Sequence, residues 1–217
     1  TINVENTELN RVSFRETLFS SQGMKDYIGG VILFDETIRQ KSSEGIPIPE
    51  LIKNNGAIPG IKVDKGAKKL AGSTDETITE GLDGLRERLK EYYDLGARFT
   101  KWRAVYKITS NFPSPQCIKS NAHALARYAS LVQEANMVPI VEPEVLMDGD
   151  HDIEKCFQVT SNVLNECYKE LALHKVDLRG TILKPNMILP GIDYGKSVSS
   201  IEIAKKTQFP VVAHFRK

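Results

Sequence analysis

Short, continuously apolar runs separated by longer stretches of helical period limit this chain to a narrow set of folds. The runs are Ile28–Phe34, Ala57–Val63, Phe99–Ile108, Val138–Val141, Gly180–Leu183 and, near the end, Phe209–Ala213. They are apolar throughout rather than alternating, the pattern of parallel strands covered on both faces. Between them one helix is predicted with Leu82, Leu85, Leu89 and Tyr92 on one side and Gly96 as its stop. A second starts at Ser114-Pro115, a cap followed by proline at the first helical position, and buries Ile118, Ala122, Leu125, Ala129 and Val132. A third follows Asp152 with Ile153, Cys156, Thr160, Val163, Cys167 and Leu171 on one stripe, and a shorter one starts at Ser199 or Ser200. Lys41–Pro49 and Lys65–Glu76 read as loops between strand and helix.

Strand-then-helix repetition predicts a parallel α/β fold. An open dinucleotide-binding sheet needs a glycine-rich turn after its first strand, and neither G-x-G-x-x-G nor G-x-x-x-x-G-K-[ST] occurs. A (β/α) barrel needs neither motif, and gathers its site from the C-terminal ends of several strands.

Composition excludes some partners. A formal net charge of +1 across 217 residues gives no global pull toward nucleic acid or a membrane surface. Apolar runs such as Val31-Ile32-Leu33-Phe34 are too short to span a bilayer. Thr1–Asn6 lacks the basic start and apolar core of a signal peptide. Cys117, Cys156 and Cys167 fall on apolar helical faces and read as buried small hydrophobes in a reducing cytosol. His123, His151, His174 and His214 are scattered without metal-ligand spacing, with His123 on the polar face of an ordinary helix. Asp148-Gly149-Asp150-His151-Asp152 has a metal-like look, but a calcium loop starting at Asp148 would need glycine where Ile153 stands, so a turn and helix cap is the better reading.

The chemistry gathers at the strand ends. Lys62 with Asp64, Lys101 with Arg103, and Glu142 with Glu144 are i,i+2 pairs, so each pair shares one face of its strand. One such pair would be read as a solvated rim, but charges in successive apolar strands point to a site. Lys184 then closes the run Thr181-Ile182-Leu183, and Pro185 biases it toward extended backbone. Burial disfavours an ammonium, and a neutral amine can attack a carbonyl to form a Schiff base. Lys184 is therefore the candidate nucleophile, with Lys101 and Arg103 as neighbouring cations. Glu142 is the candidate proton shuttle and Glu144 the candidate partner of Lys101. Lys62 and Arg103 suit an anionic substrate, most naturally a phosphate, and with Asp64 they make up the candidate substrate-binding set.

GGVILF at 29–34, GIKVDKG at 60–66, GLDGL at 81–85, KWR at 101–103, ARYAS at 126–130, VPIVEPE at 138–144, DGDHD at 148–152 and LKPNM at 183–187 together resemble the class I, Schiff-base fructose-1,6-bisphosphate aldolases. The resemblance implies a (β/α)8 TIM barrel, incomplete here at about strands 2 to 6 or 7, with residues 1–217 as one partial domain. It implies reversible cleavage of fructose 1,6-bisphosphate to dihydroxyacetone phosphate and glyceraldehyde 3-phosphate, in a cytoplasmic, homo-oligomeric enzyme of glycolysis and gluconeogenesis. By position Lys184 matches the Schiff-base lysine, Glu142 the main acid/base carboxylate, and Lys101 and Glu144 a supporting pair. Lys62 and Arg103 match residues near the 6-phosphate. No metal or cofactor is implied, because the iminium serves as electron sink.

Some of the family's pattern is unmatched. Nothing before Ile28 corresponds to the catalytic aspartate of the first strand. The serine-glycine phosphate loop and arginine of the last strands are not found, and the resemblance is expected to fade after about Thr207. These gaps predict a chain that is poorly stable and largely inactive by itself. The alternatives are an inactive aldolase-like binding or scaffold protein, and another Schiff-base barrel such as a deoxyribose-phosphate aldolase or a transaldolase, against which VPIVEPE and LKPNM speak.

Overall fold

A computed structural model describes residues 3–111 and 113–215, with side chains through residue 210. Thr1 and Ile2 of the N-terminal segment and Arg216–Lys217 of the last decapeptide lie outside the described residues.

The elements run α1 Glu8–Phe19, α2 Met24–Tyr27, β1 Gly30–Leu33, α3 Asp35–Arg39, α4 Ile48–Asn54, β2 Ile58–Lys62, β3 Ala67–Lys69, β4 Thr77–Thr79, α5 Leu85–Asp94 and β5 Phe99–Tyr106. They continue as α6 Pro115–Glu134, β6 Val138–Val145, α7 Ile153–Leu173, β7 Ile182–Leu183 and α8 Ser200–Phe215, with a 3-10 turn at Leu178–Gly180. Strands β1, β2, β5, β6 and β7 form one all-parallel sheet in that order, so each strand pairs with the next through a helical crossover. This is an arc of an α/β barrel.

The arc has two unlike faces because side chains alternate along a strand. Thr100, Trp102, Ala104 and Tyr106 of β5 are fully buried beneath the helices. Trp102 packs against Tyr128 of α6 with ring centroids 5.4 Å apart. The Tyr128 hydroxyl lies 2.6 Å from Thr100 Oγ1 and donates to the Ile140 carbonyl at 3.2 Å, linking β5 to β6 from behind. The opposite face carries Phe99, Lys101 and Arg103. There the Phe99 ring lies across Gly30 and Gly60, and a Cβ on Gly30 would sit 2.9 Å from it. Ile32, Phe34, Ile58, Val138 and Ile182 are exposed on this inner face.

The caps expected from sequence form. Ser114 Oγ accepts from Cys117 N at 3.1 Å, and Asp152 Oδ1 accepts from Lys155 N at 2.7 Å. The α7 stripe from Ile153 to Leu171 is buried as its period requires.

Several expectations are corrected. Val138–Val141 extends to Val145, carrying both glutamates into the strand. Gly180–Leu183 shortens to Ile182–Leu183, because Leu178–Gly180 closes a 3-10 turn held by the Gln133 amide. Phe209–Ala213 continues α8 rather than forming a strand; a short apolar run does not by itself distinguish a strand from a packed helix segment. Phe209 instead meets Phe157 of α7 with ring centroids 5.9 Å apart. The helix begun at Ser200 is accordingly 16 residues long, not short. Helix α4 begins inside Lys41–Pro49, and Lys65–Glu76 contains β3, which pairs antiparallel with β4. Helix α1 has no counterpart in the sequence reading. Half of its residues are exposed and only Phe19 is buried, so it lacks the broad apolar stripe that reveals a helix.

The histidines are not all scattered. His123 of α6 and His174, one residue past α7, meet with ring centroids 4.9 Å apart beside the Glu170 carboxylate.

The cysteines are buried and free, as expected. Burial pushes the thiols of Cys117 and Cys167 up to about 12 and also raises that of Cys156. The thiolate is the reactive species. The native chain at neutral pH is therefore expected to leave a disulfide-exchange reagent unreacted and to react at all three thiols once denatured. Fast modification of the native chain would contradict this packing.

Helix α1 is held to α3 by charge. Arg11 and Arg15 reach Glu36 at 2.6 and 2.7 Å. Hydrogen bonds from Arg11 first, then Arg15, lower the Glu36 carboxyl from 4.5 to about 2. A carboxyl lowered by folding stabilises the fold fully above its unfolded value, and that contribution is lost as pH falls through the folded value. The protection of α1 amides, measured against the unstructured exchange rate at each pH, is thus expected to fall as pH drops from 4.5 toward about 2, and Glu36→Gln should remove that dependence.

Candidate active site

The charged side chains named from sequence converge on the inner face, near the C-terminal ends of the strands. Register explains how. Lys62 pairs laterally with Lys101, Arg103 is directly opposite Glu142, and Ile182 is opposite Ile140. Lys184, two residues past Ile182, is therefore level with Glu142 and projects to the same side. Its backbone amide continues the ladder, donating to Val141 O at 2.9 Å.

Glu142 is the centre of the cluster, with a side chain only 3% exposed. One carboxylate oxygen accepts from Lys184 Nζ at 2.5 Å, and the other is 2.6 Å from Lys101 Nζ. The second contact is an ion pair without hydrogen-bond alignment. A carboxylate this buried needs such partners, since removing one member of a buried ion pair typically costs about 3–5 kcal/mol.

The pairing differs from expectation. Glu144 does not hold Lys101; it accepts from Arg103 Nε. Lys101 reaches Glu142 instead. Both cations bridge diagonally to the residue two positions further along β6. Glu144 is four positions beyond the level of Lys101, on the order of 13 Å at ~3.3 Å per residue, too far for a lysine side chain.

Lys184 also departs from expectation. Its side chain is 57% exposed, so the apolar burial inferred from its run is not present. The strand ends at Leu183, and the lysine leaves it on the uncovered face. The lysine instead contacts the buried Glu142.

Lys62 and Asp64 form a second pair. Lys62 Nζ is 2.5 Å from Asp64 Oδ1, which also accepts from Gly66 N at 3.0 Å. Asp64 Oδ2 accepts from the Arg103 backbone N at 3.4 Å. A buried carboxylate thus ties the end of β2 to β5. The hairpin of β3 and β4 borders this corner, with Thr79 Oγ1 donating to Arg103 O at 2.7 Å.

Sequence reasoning missed Asn186, although it lies inside LKPNM. Its Oδ1 accepts from Val145 N at 3.1 Å, and its Nδ2 donates to Thr160 Oγ1 at 3.2 Å. The segment after Lys184 is thereby fastened to β6 and α7. Lys184 stands between two anchors, its own amide and Asn186. Asp148–Asp152 is a turn and cap as expected, with Asp152 at the N-terminus of α7. Among the described residues no helix is long and apolar enough to cross a membrane.

Comparison with known proteins gives this geometry its relatives. The sequence model of class-I fructose-bisphosphate aldolase matches residues 1–213, past Thr207, where the motif resemblance was expected to fade. A probable fructose-bisphosphate aldolase class 1 from Xanthomonas campestris is 55% identical over 206 residues, which is 95% of this chain and 62% of that protein. The cytosolic fructose-bisphosphate aldolase 4 of Arabidopsis thaliana is 56% identical over 206 residues, again 95% of this chain but 52% of that protein. The chain thus spans little more than half the length of these relatives. A solved structure of Plasmodium falciparum fructose-bisphosphate aldolase superposes with a TM-score of 0.94 at 45% identity, covering 99% of this chain and 61% of the other. From its sequence, its arc of parallel strands and these relatives together, the chain belongs to the class-I fructose-bisphosphate aldolase family.

Proposed function

We propose that the protein of which this chain forms part or whole is a Schiff-base aldolase acting on a phosphorylated ketose, fructose 1,6-bisphosphate, with Lys184 as the imine-forming residue. The observation that carries this reading is the Lys184–Glu142–Lys101 trio.

The arrangement suits imine formation for an electrostatic reason. Attack on a carbonyl needs a neutral amine. Glu142, 2.5 Å from Lys184, takes the ammonium proton and becomes a neutral acid, while Lys101 keeps its charge. The trio holds one net positive charge before and after the transfer. The amine lone pair then forms the C–N bond as the carbonyl π electrons move to oxygen, and that oxygen takes up the proton the new C–N nitrogen sheds, giving the carbinolamine hydroxyl. Glu142 delivers a proton to that hydroxyl, which leaves as water, and the iminium forms. The cationic iminium then takes up the electron pair of the Cα–Cβ bond to become an enamine, while the β-hydroxyl gives its proton to the Glu142 carboxylate and leaves as the aldehyde, so the iminium replaces a metal as electron sink.

Lys62 and Arg103 supply the anion site. Each already holds a carboxylate, Asp64 and Glu144 respectively, and both are partly exposed, so a phosphate would compete for their open donors. Asp64 then acts by holding Lys62. A cytoplasmic location accords with the cytosolic plant relatives. Residues 1–217 are read as one barrel segment, and assembly into homo-oligomers belongs to the same proposal.

Borohydride reduction in the presence of dihydroxyacetone phosphate tests this directly. A stable adduct is expected on Lys184, located by peptide mass spectrometry and absent in Lys184→Arg. Glu142→Gln should slow adduct formation by about 10²-fold or more. Release of glyceraldehyde 3-phosphate from fructose 1,6-bisphosphate reports the cleavage step separately. An adduct elsewhere, or none, would favour the binding or scaffold reading.

A further inference from the structure

On the outer, helix-covered side of the sheet, away from Lys184, three side chains from two helices form a cluster that the imine chemistry does not use. Glu170 and His174 are four residues apart along and just past α7, a spacing that places both on one side of the helix. His123 comes from α6, packed alongside. The Glu170 carboxylate is buried, 6% exposed, and its Oε2 lies 3.0 Å from His123 Nδ1 and 3.7 Å from His174 Nδ1. One nitrogen from each ring and one carboxylate oxygen all lie within 4.8 Å of one another. His174 Nδ1 also lies 2.9 Å from the Glu170 carbonyl, which orients that ring.

We propose that His123, Glu170 and His174 form a site for a divalent transition-metal ion of the zinc type, clamping α6 to α7. Two imidazoles and a carboxylate are a ligand set suited to Zn²⁺, which takes three protein ligands and leaves its fourth position to water. Zinc–nitrogen and zinc–oxygen bonds of about 2.0–2.2 Å put tetrahedral ligand atoms roughly 3.4 Å apart, so the cluster needs only small side-chain adjustments. Charge also favours a cation. The buried carboxylate has no ammonium or guanidinium within ion-pair distance among the described residues, only the two imidazoles. Arg127, one turn beyond His123, lines the clefts bordering both histidines and opposes a cation. The Glu170 charge offsets it.

The histidines are exposed and half-buried, so an ion can enter from solvent without unfolding the helices. A bound ion would join the two crossover helices that follow β5 and β6, adding a cross-link to the helical wall. Binding to the folded chain alone would raise its melting temperature in proportion to the logarithm of ion concentration above the dissociation constant.

The test is titration with Zn²⁺, using calorimetry, metal analysis after dialysis, and thermal melting. One ion per chain and a Zn²⁺-dependent rise in melting temperature are expected for the wild type. His123→Gln and His174→Gln keep a hydrogen-bonding amide near Glu170 but remove a ligand nitrogen. Each should weaken Zn²⁺ binding by about tenfold or more while far-ultraviolet circular dichroism is unchanged. Glu170→Gln should do the same. A cluster that only hydrogen-bonds would shift the metal-free melting temperature in these variants and show no Zn²⁺-dependent rise in any of them. That outcome, or Zn²⁺ binding of equal strength in the wild type and both histidine variants, overturns the proposal.

Discussion

Glu142 is a carboxylate in a place where a carboxylate cannot stand alone. It is almost completely buried on β6, and only the ammonium groups of Lys101 and Lys184 make its charge tolerable there. Lys101 comes from β5 on one side and Lys184 from the residue just past β7 on the other, so two ion pairs tie β6 to both neighbours. The strand register, the Asn186 anchor and the Tyr128 hydroxyl behind the sheet all serve to hold that geometry. The same contacts underlie the proposed chemistry, in which a proton passed from Lys184 to Glu142 would leave the total charge of the trio unchanged and free an exposed lysine to act as a nucleophile.

Division of labour between the two faces follows from alternation along the strands. Helices cover Thr100, Trp102, Ala104 and Tyr106 of β5, and these contribute packing. The inner residues of the same strand, Lys101 and Arg103, contribute charge. The outer wall has polar contacts of its own, and the His123–Glu170–His174 group is one of them. It arises because α6 and α7 pack side by side and each brings donor atoms to the seam.

Much of the architecture was legible before any coordinates. Apolar runs located every strand of the parallel sheet, since strands covered by helices are apolar almost throughout. Ser114 and Asp152 marked their helix starts because a side-chain oxygen at that position satisfies an otherwise orphaned amide. The i,i+2 charges placed Lys62, Lys101, Arg103, Glu142 and Glu144 on one face. Other features escape a local reading. Helix α1 carries no broad apolar stripe, because it is held by Phe19 and Val12 at the core together with the Arg11 and Arg15 contacts to Glu36. The run at Phe209 is too short to choose between strand and helix. The histidine cluster joins residues 47 and 51 positions apart, a distance no local spacing rule covers.

The sequence by itself determined the alternation of strands and helices, the face on which each charged residue lies, and the family. Those follow from period, capping and motif, which are local properties of the chain. Tertiary structure alone decided which cation meets which carboxylate. Face is fixed by parity, but partner choice depends on the stagger between neighbouring strands, and that stagger brings Lys101 within reach of Glu142 and leaves Glu144 to Arg103. It also decided that Lys184 stands half in the open, because its strand stops one residue earlier on an uncovered face.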